Sequence, residues 1–243
     1  MKEIKNYING EFVTNVSGRT FENRNPVDNS QIGIVYEAGK PEVDAAVQAA
    51  KAALSGPWSK MTLVERTAIL NRVADRINER FDEFLDAECK DTGKPRSMAS
   101  KVDIPRGAAN FKAFSEMLAN EPTESFRTDT PDGQGAVNFG QRRPKGVIAV
   151  ISPWNLPLLL MTFKVGPALA CGNTVVVKPS EETPSTTALL GEVMTECGVP
   201  EGVYNVIHGF GPASAGEYLT SHPDINAITF TGETRTGQTI MQA

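Results

Sequence analysis

Several side chains that can do chemistry lie just after short apolar runs in the second half of the chain. Asn155 ends the turn ISPWN (151–155), and Lys178, Ser180 and Glu181 lie in the turn KPSE (178–181). An amide can donate a hydrogen bond to an oxyanion forming on a carbonyl carbon. A carboxylate can accept both hydroxyls of an adenosine ribose and would repel a 2′-phosphate. One interpretation of these residue types is a site for NAD, rather than NADP, beside a reacting aldehyde.

Both turns also have a structural interpretation. An asparagine before an apolar helix can serve as its N-cap, with no part in chemistry. A lysine and a glutamate in a short loop are often solvated. The sequence alone leaves both alternatives open.

Two further turns could contact a dinucleotide. The segment GETRTG (232–237) follows a predicted strand and opens a helix, and the backbone amides of a helix N-terminus suit a pyrophosphate. The segment HGFG (208–211) lacks a third glycine at the spacing of the G-x-G-x-x-G fingerprint, and no G-x-x-x-x-G-K-[ST] motif occurs. A dinucleotide must therefore be held differently from the usual Rossmann arrangement.

The three cysteines are weak candidates for a nucleophile. Cys171 and Cys197 precede glycines at predicted helix C-termini, where the helix dipole disfavours a thiolate. Cys89 lies in a charged amphipathic pattern away from the predicted sheet. We interpret all three as structural thiols, and their spacing predicts neither a metal site nor a disulfide framework.

Other catalytic spacings carry little weight. His208 and His222 form no dyad or ligand set, so no metal is expected. Tyr36 and Lys40 match the Y-x-x-x-K spacing of short-chain reductases, but a glycine interrupts any helix there. We interpret this match as accidental, and a hydride-transfer enzyme that uses these two residues is the weakest hypothesis.

The elements that must position these turns alternate regularly from Gly146 onward. Short β-branched strands are typical of a sheet covered on both faces, and strand–helix alternation predicts right-handed crossovers and a parallel sheet. The fold class is therefore α/β, a Rossmann-like parallel sheet with flanking helices. Ligands of such sheets bind beyond the carboxyl ends of the strands, where all four turns would meet. The predicted strands are 147–152, 173–178, 203–207 and 226–230, and the predicted helices are 156–171, 184–197, 212–221 and 233–243.

The first 119 residues add a hairpin and several helices. Asn9-Gly10 is typical of a type I′ turn between apolar strands. Pro41 opens a helix to Leu54, and the capping box of Thr62 and Glu65 starts a helical pattern that continues to about Thr92. Another helix is predicted over roughly 101–119.

The stretch 120–140 changes character. It is polar, with a turn signal at 131–133 between two strand-like runs, and is typical of a β-hairpin arm with little core of its own. Such an arm must pack on something, most simply another subunit. We expect three regions: 1–119 and 141–243 as two parts of a dinucleotide-binding domain, with 120–140 as an oligomerisation arm.

Composition excludes several function classes. The net charge of −5 argues against a nucleic-acid partner, since such partners usually leave a basic footprint. The N-terminus lacks the apolar core of a signal peptide, and the longest uncharged run is too short and too proline-broken for a membrane span. A cytoplasmic protein without a membrane partner is the resulting expectation.

Longer motifs resemble the aldehyde dehydrogenase family. ISPWNLP, GPALACGNTVVVKPSE and FTGETRTG occur in the order found in that family, and the resemblance covers essentially the whole chain. MKEIKNYINGEFV and the glutamate of FTGET are most similar to the members that oxidise 2-hydroxymuconic or 2-aminomuconic semialdehyde. The resemblance implies NAD-dependent oxidation of such a semialdehyde through a cysteine thiohemiacetal, in a homo-oligomer (dimer or tetramer).

The resemblance also implies roles for particular residues. Asn155 matches the asparagine that helps hold the oxyanion, and Arg106 matches an arginine that can bind a substrate carboxylate. The positions that match cofactor contacts are Ile151, Ser152, Pro153, Trp154, Lys178, Ser180, Glu181, Gly211, Phe230, Thr231, Gly232 and Glu233.

The catalytic cysteine and glutamate of that family have no matching positions in these 243 residues. We therefore expect the catalytic domain to be missing from this chain and the chain alone to be inactive, while its full-length parent is an enzyme. The alternative is a non-enzymatic product that only binds NAD or associates through its arm.

Overall fold

The structure, a computed structural model, describes residues 2–243. The strands are β1 (Lys2–Ile4), β2 (Asn6–Ile8), β3 (Glu11–Val13), β4 (Thr20–Arg24), β5 (Gln31–Tyr36), β6 (Ser125–Thr128), β7 (Ala136–Phe139), β8 (Val147–Ile151), β9 (Thr174–Lys178), β10 (Tyr204–Val206) and β11 (Ala227–Phe230). The helices are α1 (Lys40–Ala53), α2 (Pro57–Lys60), α3 (Leu63–Glu79), α4 (Phe81–Thr92), α5 (Arg96–Ala99), α6 (Asp103–Ala119), α7 (Pro157–Ala170), α8 (Ser185–Glu196), α9 (Ala215–Thr220) and α10 (Thr234–Gln242).

The central sheet has six strands in the order β11-β8-β9-β10-β2-β3. The first four are parallel, and each joins the next along the chain through a helix. The predicted α/β class and its parallel sheet are confirmed. The hairpin β2–β3 joins this sheet antiparallel to β10, an extension that the sequence pattern does not reveal.

Alternate residues of the parallel strands face two separate apolar layers. Ile148 and Val150 pack in a core with side chains of α3, α4, α6, α7 and α8. Val147 and Ala149 face the other side, where α1 and α9 cover the sheet. Because both faces are covered, β8, β9 and β10 are almost completely buried, and the strand ends are the places left for a ligand.

Local signals place the helix ends. The backbone N–H of Thr62 donates to Glu65 Oε2 at 2.7 Å, and the N–H of Glu65 donates to Thr62 Oγ1 at 3.2 Å, so the predicted capping box is confirmed. The helical pattern beyond it divides into α3 and α4, because Arg80 leaves the helical conformation. Gly93 ends α4 with a φ of 70°, a conformation that favours glycine.

A second sheet contains β1, β5 and β4, in that order. The sequence pattern does not predict this sheet, because TFENR in β4 mixes charged and apolar residues without strict alternation. The predicted hairpin arm is present as β6 and β7, which pair only with each other among the described residues. Within residues 2–243, no helix has the length and apolar character needed to cross a bilayer.

Candidate active site

Three strand ends form a row at the carboxyl edge of the sheet. Ile151 of β8 lies opposite Lys178 of β9 on one side and Phe230 of β11 on the other. The row continues into the turns: the N–H of Ser152 donates to the Lys178 carbonyl at 3.3 Å, and the N–H of Thr231 donates to the Ile151 carbonyl at 3.2 Å. The turns that begin at these three strand ends therefore meet at one edge.

Asn155 presents a free amide at this edge. Its side chain is exposed and forms no hydrogen bond to any residue from 2 to 243. The N-cap of α7 is Leu156, which has no side-chain cap, so the N-cap alternative for Asn155 is wrong. The first amide to bond within α7 is that of Leu160, to the Leu156 carbonyl at 2.9 Å. The amides at the start of α7, with the positive end of its dipole, therefore follow Asn155 directly.

Lys178 and Glu181 form a partly buried pair. Lys178 Nζ donates to the Pro179 carbonyl at 2.9 Å and lies 3.4 Å from Glu181 Oε2. Burial lowers the pKa of Lys178, and the Glu181 charge raises it part of the way back. Lys178 is 5% exposed, so the solvated-loop alternative is wrong for the lysine. The Glu181 side chain keeps 34% of its surface exposed and can accept hydrogen bonds from a ligand.

The other predicted contacts of the first two turns differ in exposure. Ser152 is buried, and its hydroxyl has no hydrogen-bond partner among the described residues. Trp154 is 60% exposed, which is unusual for an indole and leaves its face open to a ligand. Pro153 and Ser180 are half-buried beside them.

The turn after β11 is shaped by an aromatic ring. A Cβ on Gly232 would lie 2.7 Å from Phe230 Cζ, so a larger residue at this position would force the ring to shift. Glu233 is the N-cap of α10. Thr231, Gly232 and Glu233 are all exposed, so the start of α10 is open to an anion such as a phosphate. Gly211 is also exposed, in the loop that follows β10.

Arg106 lies on α6, which packs along α7. A Cβ on the next residue, Gly107, would lie 2.8 Å from Leu158 Cγ in the first turn of α7. Arg106 is exposed and forms no salt bridge or side-chain hydrogen bond within the described chain. The packing of α6 on α7 thus places Arg106, which has no ion-pair partner among residues 2–243, and the turn that contains Asn155 on adjacent segments.

The three thiols have features that are typical of structural cysteines. Cys171 and Cys197 are the C-caps of α7 and α8, as the sequence predicts. Burial raises the pKa of Cys89 and Cys197, and partial desolvation also raises that of Cys171, although this residue is exposed; a reactive cysteine needs a lowered pKa. Tyr36 ends β5 and Lys40 begins α1, so the Y-x-x-x-K pair does not share a helix.

Two buried ionisable residues are not predicted from the sequence pattern. Glu88 is fully buried, and burial, then the nearby Asp103 charge, raise its pKa to about 8. Lys164, on α7, is 6% exposed, and burial lowers its pKa to about 8. Helical spacing could have found Glu88, since it lies one turn beyond the core residues Phe84 and Leu85.

Known proteins match this chain over its whole length. The sequence profile of the aldehyde dehydrogenase family matches residues 12–243. A 2-hydroxymuconic semialdehyde dehydrogenase of Pseudomonas sp. (strain CF600) is 72% identical over 243 residues, which are all of this chain and 50% of that protein. A 2-aminomuconic 6-semialdehyde dehydrogenase of Pseudomonas sp. is 55% identical over all of this chain and 49% of its own length.

Solved structures of aldehyde dehydrogenases have the same fold over nearly the whole of this chain. The NAD⁺ complex of an aldehyde dehydrogenase from Bacillus cereus superimposes with a TM-score of 0.94 and 39% identity, over 99% of this chain and 48% of that one. The chain thus spans about half the length of the curated relatives it matches.

Proposed function

We propose, from the premise that this chain belongs to the aldehyde dehydrogenase family, that the full-length protein oxidises an aldehyde to a carboxylic acid with NAD. When bound, NAD supplies the hydride acceptor. The observation that carries the proposal is the row Ile151–Lys178–Phe230, which brings a free Asn155 amide and a Lys178–Glu181 pair to one sheet edge.

The residues present fit the cofactor. Glu181 has exposed oxygens that can accept hydrogen bonds from the hydroxyls of an adenosine ribose. The Lys178 ammonium has three N–H donors; two are used by the Pro179 carbonyl and Glu181, so one remains for a ligand. The start of α10, with Gly232, offers unpaired amides for the pyrophosphate. The orphaned Ser152 hydroxyl and the open face of Trp154 provide further contacts near the turn 151–155.

Asn155 is the oxyanion donor of the proposed site. As a thiolate adds to the aldehyde carbon, the carbonyl oxygen gains negative charge, and the Asn155 NH₂ group can donate to it. The amides at the start of α7 and its dipole add positive potential at the same place. The thiolate is proposed to come from the part of the family fold that these 243 residues do not match, because all three thiols here have raised pKa values. We therefore propose that the 243-residue chain alone does not oxidise aldehydes.

The substrate is proposed to be a muconic semialdehyde. Two kinds of muconic semialdehyde dehydrogenase share 72% and 55% of the residues of this chain. Arg106 supports the choice, because an exposed guanidinium with no partner among residues 2–243 can bind a carboxylate through two hydrogen bonds. A muconic semialdehyde carries a carboxylate at the end opposite its aldehyde.

The arm supports a homo-oligomer. Phe126, Val137 and Phe139 of β6 and β7 are 66%, 74% and 71% exposed, and a two-stranded hairpin is marginal in water on its own. We propose that another copy of the protein covers this surface. Size measurements of the wild type and of a Phe126→Ser, Phe139→Ser variant test it. A smaller particle for the variant supports the proposal, and an unchanged particle refutes it.

The activity itself is tested by mixing the purified full-length protein with NAD and 2-hydroxymuconic semialdehyde and recording NADH formation. We expect NADH with NAD and much less product with NADP. No NADH from any carboxylate-bearing aldehyde would refute the proposed function. NADH made by the 243-residue chain alone would refute its proposed inactivity.

A further inference from the structure

The buried hydroxyl of Ser214 links the loop between β10 and α9 to the segment that follows β5. Ser214, which is 4% exposed, donates its hydroxyl hydrogen to Glu37 Oε1 at 2.6 Å. The same Ser214 oxygen accepts a hydrogen bond from the Phe210 N–H at 3.1 Å. A chain of three groups therefore connects the segment after β5 to the loop that contains Gly211.

The loop and the helix that follows it lock each other. Ser214 is the N-cap of α9, yet its hydroxyl does not cap its own helix. Loop carbonyls do this instead: the Gly216 N–H donates to the Phe210 carbonyl at 2.9 Å, and the Glu217 N–H to the Gly211 carbonyl at 3.0 Å. Because it does not cap the helix, the Ser214 hydroxyl is available to accept the hydrogen bond of the Phe210 N–H, so hydrogen bonds join the loop and the start of α9 in both directions.

The backbone here is held in an uncommon shape. Ala213 has a φ of 52°, which is strained for a residue with a side chain, and its N–H donates to Glu217 Oε2 at 2.7 Å. Gly209 has a φ of 151°, and a Cβ on it would lie 2.9 Å from the Ser214 hydroxyl. Such strain persists only where the surrounding contacts fix the conformation. Ser214 is the residue that these contacts share.

The loop starts beside the Lys178 pair. β10 is the neighbour of β9, and the fully buried His208 ring has its pKa lowered to about 3, first by burial and then by the Lys178 charge. Phe210 and Gly211 follow within three residues and are exposed. They therefore lie on the side of the site where the Lys178–Glu181 pair would hold a ribose.

We propose that Ser214 and Glu37 are positioning residues that hold Phe210 and Gly211 in the shape that receives the adenosine end of NAD. The inference rests on the proposed NAD site and adds two residues that need not touch the cofactor. Loss of either hydrogen-bond partner frees the loop, so NAD must then restore its order on binding, at a cost in affinity.

The test titrates NAD into the full-length protein by calorimetry and measures the kinetics with saturating aldehyde. Ser214→Ala and Glu37→Ala should each raise the Kd and KM for NAD by about tenfold, with kcat within about twofold. Glu37→Gln, which keeps an accepting oxygen, should retain most of the affinity. The double variant should be no weaker than either single one, because both remove the same link.

Ser221→Ala is the matched control. Its hydroxyl bonds the Glu217 carbonyl at 2.6 Å at the other end of α9, so its loss should leave NAD affinity unchanged. Wild-type NAD affinity in Ser214→Ala would overturn the inference. So would a lowered melting temperature with the aldehyde KM rising as much as the NAD Kd, which would mark a structural role. A wild-type protein that binds no NAD would instead refute the proposed function itself.

Discussion

Gly107 of α6 and Leu158 of α7 pack so closely that a Cβ on Gly107 would lie 2.8 Å from Leu158 Cγ. Arg106 is the residue before Gly107, and Asn155 lies three residues before Leu158. The contact therefore sets the spacing between the proposed carboxylate anchor and the proposed oxyanion donor. A substrate held at both ends requires this spacing to stay constant.

Enlarging Gly107 should disturb catalysis. Gly107→Ala would push α6 from α7, at a typical cost of about 1–3 kcal/mol for an overpacked core. We expect kcat/KM for the semialdehyde to fall by about tenfold or more, measured with the full-length protein. Gly166→Ala is the control on the same helix pair: its nearest neighbour, Phe114 Cδ2, would be 3.4 Å away, an ordinary contact. Equal activity of both variants would show that this spacing does not matter.

Arg106→Ala should weaken binding of a carboxylate-bearing aldehyde. The guanidinium forms no ion pair within the described chain, so its removal leaves no buried charge behind. We expect the KM for 2-hydroxymuconic semialdehyde to rise by about tenfold or more, since charged hydrogen bonds contribute about 1.5–3 kcal/mol. Kinetics with an aldehyde that lacks a carboxylate supply the control and should be unchanged. A KM that rises for both aldehydes, or for neither, contradicts the assignment.

Glu181 should decide between NAD and NADP. Glu181→Gln keeps the shape and removes the charge that would repel a 2′-phosphate. The ratio of kcat/KM for NAD to that for NADP should drop by about tenfold or more, mainly through better use of NADP. Glu182→Gln changes the exposed neighbouring carboxylate and should leave the ratio close to the wild-type value. An unchanged ratio in Glu181→Gln would remove this residue from the ribose site.

The sequence predicts the parallel sheet and its four turns well because the signals are local. Apolar β-branched runs, the Thr62 capping box and the glycines that end helices each act over a few residues. The sheet β1–β5–β4 is missed for two reasons: β1 and β5 are about thirty residues apart, and β4, which pairs with β5 from nearby in the chain, lacks strict alternation. The Gly107–Leu158 contact and the Ser214–Glu37 link also depend on distant segments, so no motif could reveal them.

Glu88 should make stability fall as pH rises. Its pKa is raised from 4.5 to about 8, mainly by burial; Asp103 and Asp91 add to the shift, and Lys94 and the Leu158 N–H oppose it. Below about pH 4.5 both folded and unfolded states hold the proton, so the shift has no effect. Between about pH 4.5 and 8 the unfolded state loses its proton first, which favours unfolding.

Glu88→Gln should remove this dependence. The variant should match the wild type near pH 5 and gain relative stability towards pH 8, by on the order of a few kcal/mol. Apparent melting temperatures of the full-length wild type and variant across this range measure the difference. A gap between the two that stays constant with pH would show that Glu88 is ionised throughout.

The central claim is that Asn155 holds the oxyanion at the carboxyl edge of the sheet, and it is tested most directly by replacing that amide in the full-length protein. Asn155→Ala and Asn155→Asp both remove the donor, and the second keeps its size. We predict that kcat for the semialdehyde falls by on the order of 10²–10³ in both, because one oxyanion donor is lost. The Kd for NAD, measured by calorimetry, should stay close to that of the wild type. A kcat within about threefold of wild type in either variant would contradict the account.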